Sequence, residues 1–347
     1  MRFDGTQTAT TDADSVTTGR TTRPTMRAIV QDSYGTAEVL RPARIDRPEL
    51  ADHEVLVRVR AAGLDRGTWH LMTGTPYLMR FIGFGFRRPK NRVPGVDVAG
   101  IVVEVGAAVT RFAVGDEVFG MSRGSFAEYA AAREDKLTHK PANVSFEQAA
   151  VVGISGGTAL QALAAGRVQP AQRVLIIGAS GGVGSYAVQL AKAAGADVTG
   201  LCSTDKLELV AGLGADRVVD YTREDFADGV HRYDLIIDIA GNAPPSRLRR
   251  ALAPTGTAVI VGGECKSNLT GGIERQLRAA LLTPFIGQRL TGLAAKERAE
   301  DCRVLADHLA AGTVTPSIDR IYPLDQVPAA MRRLEAGQVQ GKIVITV

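Results

Sequence analysis

Arg173-Val174-Leu175-Ile176-Ile177-Gly178-Ala179-Ser180-Gly181-Gly182-Val183-Gly184 is the stretch on which the fold turns. The apolar run 173–177 is too short for a helix and suits a strand buried in a parallel sheet. The glycines that follow allow a tight turn and let backbone amides approach a pyrophosphate, with the N-terminus of the next helix facing its negative charge. A glycine-rich string alone also reads as an ordinary strand-to-helix turn, so the sequence around it decides. Downstream come a helix over about 185–194 ended by Gly195, a strand at 198–202, a helix over about 205–213 and a strand at 217–219. A strand at 234–239, a helix at 244–252 and a strand at 257–261 continue the series. Such alternation predicts a doubly wound parallel sheet with right-handed crossovers, a Rossmann-type α/β domain over 151–290.

Upstream the texture differs. Residues 54–60 alternate at period two, as a half-buried strand does, and strand-like runs at 98–106 and 116–120 follow between glycines. Residues 26–150 therefore read as a β-rich, barrel-like domain. After a helix over 296–311, the runs 318–322 and 342–347 resemble that first domain, so 291–347 is expected to return to it. Residues 1–25 are Thr-rich with hardly an apolar side chain, which reads as a disordered tail.

Composition excludes several classes. The chain has 347 residues, enough for two domains, with 45% hydrophobic and 22% charged residues. A net charge of +4 without a dense Lys/Arg run argues against nucleic-acid binding. No apolar run approaches the ~18 residues of an integral membrane segment, and the start lacks the apolar core of a secretory signal. Cys202, Cys265 and Cys302 form no C-x-x-C pair, so no disulfide framework or cysteine zinc site is suggested, and a reducing cytoplasm is the default location.

Cofactor choice is read at the end of the second strand, where NAD enzymes place an acid on the ribose 2′-hydroxyl. Here the residues are Leu201-Cys202-Ser203-Thr204, none of them acidic. A 2′-phosphate would meet no like charge, and Ser203 and Lys206 could bond to it, which favours NADP(H). Asp205 is the objection; with Glu208 three residues on, it fits a helix-capping box instead.

The barrel-first order and the C-terminal return, with Gly95-Val96-Asp97-Val98-Ala99-Gly100, Val114-Gly115-Asp116-Glu117-Val118, Gly124-Ser125-Phe126-Ala127-Glu128-Tyr129, the glycine turn and Gly341-Lys342, carry a family resemblance. The chain resembles the medium-chain dehydrogenase/reductase superfamily, specifically its zinc-free quinone oxidoreductase-like branch, over about 26–347. The resemblance implies a GroES-like barrel beside the Rossmann domain. It implies cofactor contacts from Thr158, Ser180, Gly181, Gly182, Val183, Ser203, Lys206, Tyr221, Asn242, Gly262 and Lys342, with Ser203 and Tyr221 at the adenosine phosphate. Zinc-dependent relatives hold their catalytic metal at positions that align with Asp65, Val96 and Ile154. Two of these cannot ligate, so no metal is expected. The Tyr-x-x-x-Lys pair of short-chain dehydrogenases is absent too.

Without zinc or a recognisable acid, hydride addition to an ordinary ketone lacks a stabiliser for the developing alkoxide. Quinones and conjugated enones delocalise the incoming electrons and need mainly positioning, so they are the expected acceptors. Asp65, at the vacated metal position, could bond to ribose or substrate, or simply cap local backbone. His70 and Tyr77 are candidate proton donors or simply satisfy a backbone carbonyl; Thr158, read at the start of a helix entering the nucleotide domain, could approach the nicotinamide or cap that helix; Trp69 reads as core. The aromatic run 77–86, followed by basic 87–90, reads as a substrate lid, a membrane-surface contact or a packed helix-loop. The resemblance implies that the basic-apolar stretch 275–289 lies near a subunit contact, as a homodimer edge. The competing functions are an NAD(P)-dependent alcohol dehydrogenase or carbonyl reductase, and a non-catalytic NADPH-binding sensor.

Overall fold

The computed structural model describes Met1 and residues 24–78, 80–262, 273–283 and 287–347. The expected tail falls almost wholly outside them, as do Met79, Cys265 and Phe285.

β1 (Thr25–Val30) and β2 (Arg41–Asp46) form an antiparallel pair. A larger sheet is built from β3 (Glu54–Leu64), β4 (Asp97–Val105), β5 (Glu117–Met121), β6 (Tyr129–Arg133) and β7 (Leu137–His139), with α1 (Arg66–Thr73) between β3 and β4. The period-two pattern of 54–60 predicts one wet face, yet most of β3 is buried. The strand is central: β15, β4 and β6 all pair with it, and register shifts bend it so that different segments meet different neighbours.

After α2 (Phe146–Ala149) and α3 (Gly153–Gly166) the alternation begins. It runs β8 (Arg173–Ile177), α4 (Gly182–Ala193), β9 (Asp197–Cys202), α5 (Leu207–Gly212), β10 (Arg217–Asp220), β11 (Tyr233–Asp238), α6 (Pro245–Ala251), β12 (Leu252–Ile260), α7 (Ile273–Leu282) and β13 (Arg289–Gly292). The strands are parallel in the order β10-β9-β8-β11-β12-β13, so successive strands are added outward on one side of β8 and then on the other. That is the doubly wound arrangement, whose ligands sit at the carboxyl edge where the order switches. Apolar residues fill both faces, Val174 and Ile176 with α3 and α4, Leu175 and Ile236 with α6. The expected α/β class, a GroES-like sheet with a Rossmann sheet, is what the chain forms.

α8 (Ala299–Ala310) buries Leu305 and Leu309 in the same core as α3, and β14 (Ile318–Pro323), α9 (Val327–Glu335) and β15 (Lys342–Thr346) close the chain. β15 lies between β14 and β3, which returns the C-terminus to the first sheet.

Two local readings need correction. α4 starts at Gly182, not near 185, so the glycine turn itself forms the first helical turn. Asp205 caps no helix: it sits in a 3₁₀ turn over 204–206, and α5 begins only at Leu207 without a side-chain cap.

Candidate active site

The carboxyl ends of β8, β9, β11 and β12 lie in register, so the loops after Ile177, Cys202, Asp238 and Ile260 leave one edge of the sheet together. Each glycine of the turn has a distinct task there. Gly178 adopts φ +87°, which turns the chain off β8. A Cβ on Gly184 would lie 2.1 Å from the Gly178 carbonyl oxygen, so this glycine lets α4 pack against the strand. Gly181 is the N-cap of α4 and has no side-chain cap bond; its nearest neighbour to an added Cβ is the Gly178 oxygen at 3.5 Å. The first amides of α4 thus stay available to an anion, with the positive end of the helix dipole behind them.

Lys342 stands beside this turn. It is 1% exposed, and its Cδ would lie 3.0 Å from a Cβ at Gly182. Gly341 donates its N–H to the Ser180 carbonyl at 2.8 Å, tying the start of β15 to the turn. The Lys342 Nζ donates to Ser155 Oγ at 2.9 Å and lies 3.5 Å from Asp97 Oδ2 and 4.0 Å from Asp65 Oδ2. Asp65 caps α1, its Oδ1 accepting from the Thr68 N–H and hydroxyl, while Asp97 Oδ1 accepts from the Ile154 N–H. The second oxygen of each carboxylate is buried without a hydrogen bond. One cation faces two buried acids, and burial pushes Asp97 up to about 7, with Lys342 pulling against it.

At the end of β9, Ser203 Oγ donates to Asp205 Oδ1. Asp205 therefore pairs with Ser203, contrary to the capping reading. Lys206 Nζ donates to the Gly337 and Val339 carbonyls, so its ammonium is tied to the loop before β15 instead of standing free beside Ser203. The Tyr221 ring is 57% exposed at the end of the neighbouring strand, its N–H on the Cys202 carbonyl.

Across the switch point, Asn242 is exposed. A Cβ on Gly262 would lie 1.9 Å from the Ile239 oxygen, so only glycine fits there. Arg275, read from sequence as part of an interface stretch, is buried. It donates to Asp238 Oδ2 at 2.5 Å and to the carbonyls of Ala243 and Gly262, fixing the ends of β11 and β12 together. Burial raises the Asp238 carboxyl, and Arg275 opposes that shift.

The remaining candidates scatter. Thr158 lies inside α3, not at a helix start, and its hydroxyl donates to the Ile154 carbonyl at 2.7 Å. His70 Nδ1 lies 2.7 Å from the Thr75 carbonyl, and the Tyr77 ring is exposed beneath the Arg80 guanidinium. Trp69 packs on the barrel core and donates to Glu335.

A cavity of about 180 Å³ opens in the first domain, lined by Gln31, Leu71, Phe84, Lys90, Val96 and Ser122 among others. Val96 in its wall adjoins Asp97, which connects the cavity through Lys342 to the glycine turn. Asp65, His70 and Tyr77 are not among its lining residues. Gln31 is 3% exposed, and both amide atoms lack a hydrogen-bond partner. Sequence reading passed over Gln31, Ser155 and the Arg275–Asp238 pair; Asp97 stood inside a quoted motif but with no role attached.

The match to known proteins agrees with this layout. Residues 213–345 match the family model described as zinc-binding dehydrogenase, and 51–142 match the alcohol dehydrogenase GroES-like domain. The chain is 32% identical over 335 residues to a 2-methylene-furan-3-one reductase of Solanum lycopersicum, covering 92% of this chain and 79% of the relative. Its fold is similar to a quinone oxidoreductase from Coxiella burnetii, with a TM-score of 0.83 at 29% identity, covering 93% and 100% of the two chains. It is also similar to an Escherichia coli quinone oxidoreductase complexed with NADPH, with a TM-score of 0.79 at 25% identity, covering 92% and 100%. The chain belongs to the medium-chain dehydrogenase/reductase superfamily, in its quinone oxidoreductase-like branch. It is accordingly an NAD(P)H-dependent oxidoreductase.

Proposed function

We propose that the protein reduces quinones or conjugated enones with NADPH and without zinc. The observation that carries this reading is the cavity walled by Val96 and Gln31. At the positions aligned with the metal ligands of zinc-dependent relatives, Val96 and Ile154 offer no donor atom. What the cavity wall holds instead is Gln31, whose buried amide lacks a partner and, turned into the cavity, is a neutral hydrogen-bond donor for a carbonyl oxygen.

The glycine turn and buried Lys342 fit a dinucleotide pyrophosphate, and the oxygens of Asp65 and Asp97 that lack a hydrogen bond fit polar groups arriving beside it. When bound, NADPH supplies the hydride. The chain's part is positional: the α4 amides orient the phosphates, Gly262 keeps the loop after β12 close to Ile239, and Gln31 Nε2 holds the acceptor oxygen as charge builds there. Water supplies the proton. NADPH over NADH is supported by the non-acidic end of β9 and by the exposed Tyr221 ring, while Asp205, bonded to Ser203, limits the preference. We extend the proposal to a homodimer, for which exposed Leu277 and Leu281 on α7 offer an apolar face, and to a cytoplasmic location.

Steady-state assays with a quinone, a conjugated enone and a saturated ketone, each with NADPH and NADH and a zinc chelator present, test the reading. Quinone and enone turnover that favours NADPH and survives chelation is expected. Turnover of the ketone alone, or loss on chelation, overturns it; equal or better use of NADH overturns the cofactor choice.

A further inference from the structure

We propose that the face formed by the described residues of 77–90 docks on an anionic lipid bilayer, so that the acceptor cavity opens toward the membrane. Five large apolar side chains are exposed within ten residues: Tyr77, Leu78, Phe81, Phe84 and Phe86. Phe81 and Phe86 are 68% and 61% exposed, and their rings meet edge to face at 5.2 Å. Isolated exposed apolar residues need no explanation, but a contiguous aromatic cluster does.

The cluster is held in place from behind. The Arg80 guanidinium donates to the Gly74 and Thr73 carbonyls and lies over the rings of Tyr34 and Tyr77. Tyr34 Oη donates to the Gly85 carbonyl at 2.6 Å, and the Lys90 N–H donates to the Phe84 carbonyl at 2.9 Å. The aromatic rings therefore project from a braced π-helical turn (Arg80–Phe84) and the bend that follows it.

Charge selects the partner. Arg87, Arg88 and Lys90 are exposed and make no ion pair among the described residues. No acidic residue occurs between Asp65 and Asp97. Nearby Arg92 shows the contrast, held by Asp32 at 2.6 Å. Aromatic rings flanked by unpaired basic groups match the boundary of an anionic bilayer, where rings sit at headgroup depth and cations meet lipid phosphates. A second copy of this chain would instead bring basic residues against their own kind.

Phe84, Pro89 and Lys90 also line the cavity. A bilayer-dissolved acceptor can thus enter without crossing water. This route rests on the hydride-transfer reading; the docking does not, and its test needs neither cofactor nor acceptor.

The intact protein is sedimented with vesicles of phosphatidylcholine alone or mixed with phosphatidylglycerol, at low and high salt. Binding to the mixed vesicles that weakens with salt is expected. Removing two interfacial arginines in the Arg87→Gln/Arg88→Gln variant lowers the affinity by about thirtyfold. Phe81→Ser/Phe86→Ser weakens binding at every salt concentration. Both variants retain vesicle-free turnover of a water-soluble acceptor, which shows that they fold. Equal binding to neutral vesicles, no binding to anionic ones, or unchanged affinity in both variants overturns the proposal. Sedimentation velocity adds a further outcome: self-association lost in the Phe variant assigns the face to a second copy and also overturns it.

Discussion

Replacing Asp97 by Asn probes the buried charge cluster, because the change removes one ionisable group and keeps the oxygen that accepts from Ile154. Asp97 is fully buried, and its carboxyl is pushed from 3.8 to about 7, chiefly by loss of water and against the pull of Lys342. Between those values the folded protein holds a proton that the unfolded chain has released. Stability therefore falls as pH rises through this window, by about 1.4 kcal/mol per pH unit. Summed from the unfolded to the folded value, the cost reaches about 4 kcal/mol and is complete above pH ~7. The variant lacks this slope, and titrating groups outside the Asp65–Asp97–Lys342 cluster contribute equally to both proteins. Urea unfolding of the two proteins across pH 5 to 8 is the assay. The stability difference should shift by about 2 to 3 kcal/mol in favour of Asp97→Asn on going up in pH. A difference that stays flat, or that moves against the variant at high pH, refutes the reasoning.

Three further substitutions bear on the site. Gly181→Ala has room within the protein, yet puts a methyl group at the α4 N-terminus. Thermal stability should hold, and fluorescence titration should show at least tenfold weaker NADPH binding, or about 1.4 kcal/mol; unchanged affinity would remove Gly181 from the pyrophosphate site. Gln31→Leu relieves a buried amide that lacks partners, so urea unfolding should show a gain of about 1 kcal/mol while acceptor kcat/KM drops about tenfold. If both stay put, the cavity is not where the acceptor oxygen sits. Arg275→Leu strands the buried Asp238 carboxylate and should cost about 3–5 kcal/mol in the same unfolding assay, with a loss below about 1 kcal/mol contradicting the pairing.

The glycine turn was legible in sequence because each glycine answers a local demand: a positive φ at Gly178, an open N-cap at Gly181, a strand contact at Gly184. Hydrophobic runs likewise announced the parallel strands. Asp205 was misread because the capping pattern is equally local, and only the fold shows that its carboxylate meets Ser203. Lys342 was flagged by a motif, but its partners Asp65, Asp97 and Ser155 come from distant segments that no periodicity links. Gln31 follows the first strand with no pattern to distinguish it from any surface amide. Arg275 lay within a basic-apolar stretch that the family resemblance put at a subunit edge, whereas the helix rotates by about 200° from exposed Leu277 to Arg275 and carries the latter into the interior.

Transfer of deuterium from NADPH dideuterated at C4 to a conjugated enone is the sharpest check of hydride transfer to an activated acceptor. Deuterium is expected at the β-carbon of a saturated ketone product, with the chelator present throughout. Deuterium on the carbonyl carbon of an allylic alcohol, or none in the product, would contradict it.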